Sequence, residues 1–170
     1  MRLFWRKEKK ETAPVAEPPV FVPSDTESFK DAVLQGLSLQ IPKDAGLVKP
    51  LELAYIGDTV YEVLNRLIAL SGPEKAMAEL HKECSERARA ESQAGIAEAL
   101  KEIFTEEEKK IFLRARNARV GTRSRSASSG EYHKATGLEA VFGYLYLLSR
   151  YDRILYLFKT GSEKAGIRLK

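Results

Sequence analysis

Pro50-Leu51-Glu52-Leu53-Ala54-Tyr55-Ile56-Gly57-Asp58-Thr59-Val60-Tyr61-Glu62-Val63-Leu64 is the stretch from which this chain is read. Pro50 stands where a first helical turn tolerates proline. Apolar residues then run on to Leu70, so a helix is predicted over Leu51–Leu70. One acid, Asp58, lies in its middle. A second segment has the same character: Ala135-Thr136-Gly137-Leu138-Glu139-Ala140-Val141-Phe142-Gly143-Tyr144-Leu145-Tyr146, with Glu139 among apolar residues. Asp and Glu are almost never buried unless paired or bound to a metal. Each segment also carries glycine, which costs a helix interior roughly 1 kcal/mol against alanine.

An amphipathic helix can seat a single acid at the edge of its apolar stripe, where it reaches water. The neighbours argue otherwise here. At three- and four-residue spacing, Asp58 has Ala54, Tyr55, Tyr61 and Glu62, while Glu139 has Ala135, Thr136, Phe142 and Gly143. Neither has a lysine or arginine within local reach. Both acids therefore need a partner from elsewhere, and a divalent cation held between the two helices would serve both.

The cation's type is bounded by composition. Cys84 is the single cysteine and His81 and His133 the two histidines, which excludes an internal disulfide and a thiolate cluster and argues against zinc. A hard, oxygen-seeking ion such as Mg²⁺ fits a carboxylate pair. With 170 residues and 44% hydrophobic content the chain can build one domain with a core. No run approaches the roughly 18 apolar residues of a membrane span. The start, Met1 to Lys7, is too short in apolar residues for a secretory signal. The expected location is the cytoplasm, with no membrane partner.

Residues 1–27 hold Pro14, Pro18, Pro19 and Pro23 among mixed charges and are expected to be a disordered tail. Residues 28–170 are expected to form the domain. Phe29, Val33, Leu34 and Leu37 give a short amphipathic piece; residues 74–101 read as helix with Ala76, Leu80, Cys84, Ala88, Ile96 and Leu100 inward. Thr105-Glu106-Glu107-Glu108 is a capping box opening a helix to about Ala115. Further helices are expected over about 132–149 and from Asp152. No period-two strand is present, so the expected fold is all-α.

Net charge is only +4, but it is unevenly placed. The segment from Arg114 to Gly130 holds five arginines (Arg114, Arg116, Arg119, Arg123, Arg125), small polar residues and no acid. It reads as unable to pack a core. Guanidinium groups bind phosphate bidentately, so these arginines are candidate RNA-backbone contacts, next in sequence to the Glu139 helix.

Leu53–Glu62 resembles the signature helix of the ribonuclease III family, and Leu138–Tyr146 resembles its second acidic motif. The stretch Leu80–Gln93 is similar to the helix between them. The resemblance covers about residues 47–162 and is to the short form of the family, Mini-ribonuclease III, which lacks a double-stranded-RNA-binding domain. It implies a single all-helical ribonuclease III-type catalytic domain, a bundle that cleaves double-stranded RNA as a homodimer with Mg²⁺. It further implies a role in maturing large-subunit (23S) precursor ribosomal RNA, and leaves open a ribosomal protein as another partner. Asp58 and Glu139 match the family's metal-holding acids. Two other acids of the long-form pattern are Ala54 and Thr136 here, replacements that place the chain with the short form. Glu62, a turn beyond Asp58, is a candidate outer-shell carboxylate, with an ordinary exposed helix acid as the alternative. His133 is a conceivable acid or base, although a surface histidine is the plainer reading.

So sparse a site is compatible with phosphodiester hydrolysis. Bound Mg²⁺ can activate water and neutralise developing charge without a side-chain nucleophile, and it needs few carboxylates because it keeps several waters. The competing classes are a catalytically inactive RNA- or ribosome-binding module of the same fold, an all-α Mg²⁺ nucleotide hydrolase, and a plain helical interaction protein.

Overall fold

The computed structural model describes residues 28–42, 44–118 and 129–169. The chain divides into two units, residues 1–40 and 41–170. The first contains α1 (Phe29–Gly36), opened by Ser28, whose side chain accepts from the Asp31 N–H. The expected tail, residues 1–27, lies outside the described residues.

The second unit contains a short 3-10 turn (Ala45–Leu47), α2 (Pro50–Leu70), α3 (Met77–Arg87), α4 (Ala90–Ala99), α5 (Glu106–Arg116), α6 (Ser129–Leu147) and α7 (Tyr151–Lys164). There is no strand among the described residues, and the fold is all-α. α6 is the central helix and packs against α2, α4, α5 and α7. Leu138, Ala140, Val141, Phe142 and Leu145 of α6 are all completely buried. That explains why its apolar residues form no single stripe: a helix surrounded by others is apolar on all sides. The Phe142 ring meets Tyr61 of α2 at 6.1 Å and Phe158 of α7 at 6.4 Å.

The capping box is as predicted. The Thr105 hydroxyl accepts from the Glu108 N–H at 3.2 Å, and Glu108 accepts from the Thr105 N–H at 2.8 Å. Glu108 is only 2% exposed because it has a second task. Arg153 of α7 donates to both its carboxylate oxygens at 2.8 Å and to the Ile103 carbonyl. One carboxylate thus starts α5 and fastens α7 to it.

Several expectations are corrected. The stretch 74–101 is two helices, because Ala88 caps α3 and Arg89 turns to an extended conformation that starts α4. The turn lets Ile96 and Leu100 bury completely, whereas Ala76 is exposed and α3 has no buried residue. The arginine segment does pack core at one point, since Ala115 lies in the last turn of α5 and is fully buried. Finally, α6 starts three residues earlier than expected, at Ser129.

Candidate active site: two carboxylates at a helix crossing

α2 and α6 cross with backbone against backbone. A Cβ on Gly57 would stand 1.7 Å from the Glu139 carbonyl oxygen, and one on Gly143 would stand 2.0 Å from the Leu53 carbonyl oxygen. No real side chain fits at either place, so only glycine allows this approach. The glycines are therefore part of what assembles the site. Gly57 precedes Asp58 and touches the residue that carries the other acid.

The crossing places Asp58 and Glu139 in one cleft of about 730 Å³, which Arg89, Glu91, Gln93, Glu131, Tyr132 and Thr136 also line. Asp58 is exposed there and Glu139 is half-buried. Glu139's carboxyl is pushed up to about 7, first by loss of hydration and then by the facing Asp58 charge, against a lowering hydrogen bond from Gln93. Asp58's carboxyl is also raised, by partial burial and by Glu62. Each acid is raised by burial and by a neighbouring carboxylate, Glu139 by Asp58 and Asp58 by Glu62, with no basic side chain among the causes, so the cleft is a pocket of negative potential.

That donor set suits a small hard cation. Two carboxylates supply oxygen ligands and leave room for the waters Mg²⁺ retains. Gln93 adds a further sign of incompleteness: its Oε1 is buried and without a partner. No cluster of three or more potential ligand side chains exists among the described residues, so a cation here would rest on this pair and its own waters.

The other candidates are placed as follows. Glu62 accepts from Arg66 at 2.8 Å and lines a separate groove between α2 and α3. Thr136 spends its hydroxyl on the Tyr132 carbonyl at 3.0 Å. Arg114 donates to the carbonyls of Gly46 at 2.7 Å and Val48 at 3.4 Å, tying α5 to the 3-10 turn. Arg116 donates to its neighbour Asn117. Arg119, Arg123 and Arg125 lie outside the described residues. His133 is half-buried and its Nδ1 has no partner. Gln93 escaped the sequence reading. Its signal was an amide sharing a helical face with Ala90, Ile96 and Ala97.

The ribonuclease III domain family matches residues 51–150. The chain is 37% identical over 132 residues to a Mini-ribonuclease 3 of Clostridium tetani, covering 73% of this chain and 87% of that protein. It is 44% identical over 112 residues to one of Thermosynechococcus vestitus, covering 65% and 73%. A crystal structure of a Fusobacterium nucleatum protein superposes with a TM-score of 0.63 at 31% identity, covering 69% of this chain and 94% of that one.

Proposed function

This chain belongs to the ribonuclease III family, and from that membership we propose that it is an endoribonuclease that cleaves double-stranded RNA with Mg²⁺ held by Asp58 and Glu139. The observation that carries the proposal is the glycine-lined crossing of α2 and α6, which brings the two acids into one cleft. The substrate is precursor 23S ribosomal RNA, the setting is the cytoplasm, and the working form is a homodimer. A ribosomal protein that shapes the RNA is a compatible partner.

The roles of the residues follow from their placement. Asp58, exposed in the cleft, provides a carboxylate that a hydrated ion can reach. Glu139, half-buried, would provide the second ligand, which requires its ionised form. When bound, Mg²⁺ supplies an activated water and neutralises charge on the phosphate and the leaving oxygen. Arg116, Arg119, Arg123 and Arg125 contribute the phosphate contacts; Arg114 is engaged with Gly46 and Val48 and joins them only on giving those bonds up. Glu62, paired with Arg66, acts on the site through its charge on Asp58.

The test is incubation of the protein and its Asp58→Asn variant with long duplex RNA, with and without Mg²⁺. Cleavage by the parent alone, and only with Mg²⁺, is the expected result. Thr136 lacks a carboxylate and its hydroxyl is already bonded, which favours a second reading as an RNA-binding module without turnover. Duplex binding by the parent with no cleavage at any Mg²⁺ concentration would select that reading.

A further inference from the structure

Gln93 has a place in the cleft that the proposed catalytic roles leave unused. It lies in the first turns of α4 and is 3% exposed. Its Nε2 donates to the Ala88 carbonyl at 3.3 Å, at the junction of α3 and α4. Its amide stands near enough to Glu139 to pull that carboxyl's pKa down against the effect of burial. Gln93 lines the same cleft, and its Oε1 is buried without a partner. A buried acceptor left unpaired is costly and calls for an explanation.

The chemistry required beside Glu139 is narrow. A lysine or arginine there would compete with the cation, and a third acid would repel the other two. A carboxamide is neutral, carries two donors on one end and an acceptor on the other, and can orient a carboxylate without changing the charge of the site. Partners that orient a metal's ligands in this way matter nearly as much as the ligands.

We propose that Gln93 is a positioning residue of the cleft: Nε2 links the α3–α4 junction to Glu139 and so fixes that carboxylate, while Oε1 receives an O–H group brought in by the occupant. This rests on the endonuclease reading of the same site. The O–H group has two sources, a water carried by the cation or a 2′-hydroxyl of the RNA.

Two measurements test it. Gln93→Met keeps the length of the side chain and removes both polar ends. It should leave the melting temperature and the KM for duplex RNA close to the parent's, lower kcat by roughly 10- to 100-fold, and raise the Mg²⁺ concentration for half-maximal activity. Calorimetric Mg²⁺ titration without RNA should show the same loss of affinity. A folded Gln93→Met variant with unchanged kcat and unchanged Mg²⁺ binding would overturn the proposal.

The second measurement needs no variant. In ¹⁵N-labelled parent protein, the Gln93 side-chain amide resonance should move when Mg²⁺ alone is added if the donor is a cation-borne water. It should move with duplex RNA in the absence of Mg²⁺, but not with its 2′-deoxy counterpart, if the donor is the ribose hydroxyl. A resonance that moves in neither titration refutes the role even where Gln93→Met does not fold. Full cleavage by Asp58→Asn would instead sink the endonuclease reading, a separate result from either Gln93 measurement.

Discussion

Glu139 carries a proton near neutrality because it is half-buried and faces Asp58, which together push its carboxyl up to about 7 from the ordinary 4.5. Between those values the folded protein holds a proton that the unfolded chain has released. The stability this group gives is therefore complete below about 4.5 and is lost as pH rises through about 7. A bound cation reverses the preference by favouring the ionised pair. Mg²⁺ should accordingly raise the melting temperature more at pH 8 than at pH 6, and cleavage should climb as pH passes about 7. Melting curves with and without Mg²⁺ at both pH values check this, and Glu139→Gln should abolish the difference. The same variant should lose cleavage by at least about 100-fold while staying folded, and adding Asp58→Asn should hardly worsen it, since both acids act through one ion. Single-turnover cleavage rates of the two single variants and the double one are the measurement.

At the scale of the elements, α2 and α6 are defined by what they lack at Gly57 and Gly143. Gly57→Ala would place a methyl 1.7 Å from the Glu139 carbonyl oxygen. Neither helix backbone can yield that much without separating, so the expected result is a variant that is unfolded or melts at least about 10 °C lower, far beyond the usual effect of alanine in a helix. Circular dichroism on heating decides it. The sequence made α2 and α5 legible because periodicity, Pro50 and the Thr105–Glu108 box are local signals, and α6 legible through its nearly unbroken run of apolar residues. It also displayed Asp58 and Glu139, since an acid in an apolar helix stands out. The division of α3 from α4 was hidden, as Ala88 and Arg89 both suit a helix interior and only the burial of Ile96 and Leu100 demands the turn. The bond from Arg114 to Gly46, 68 residues apart, and the clasp of Glu108 on Arg153, 45 apart, were hidden for the same reason: nothing local announces them.

Across the whole molecule, the second unit keeps apolar surface in contact with water. Tyr55 is 78% exposed and Leu67 59%, with Val63 between them on the same side of α2. At the end of α6, by contrast, Phe142 and Leu145 are buried, Tyr146 and Leu147 are half-buried, and Leu148 is exposed. A patch of this kind on α2 is expected to be covered; the proposed two-fold contact between copies would cover it and would supply one cleft per strand of a duplex. Sedimentation should therefore report a dimer at micromolar concentration, and a monomer that cleaves duplex RNA undiminished would contradict the homodimer. Affinity for the duplex should rest on phosphate binding by arginine. Replacing Arg119, Arg123 and Arg125 with alanine should raise KM and flatten the salt dependence by roughly one unit of slope for each phosphate-binding arginine removed. Because A-form duplex is read by shape and backbone, the loss of affinity should be similar for unrelated RNA sequences. Binding isotherms over a range of salt concentrations measure both effects.

α3 forms part of the cleft's rim through Ser85 and Ala88, yet it buries no side chain completely. It is held instead by the bond from the Tyr61 hydroxyl to the Arg87 carbonyl at 3.0 Å and by the Cys84 thiol, which donates to the Asn65 carbonyl of α2 at 3.8 Å. Segments with so little buried apolar surface open at a fraction of the free energy of global unfolding. The two acids stand on α2 and α6, which cannot part without losing the centre of the core. The cleft thus has a stiff floor and a compliant wall. Thermal motion can widen its mouth for a helix of nucleic acid while the distance between the acids hardly changes, so admission of the substrate and registration of the chemistry are mechanically separate.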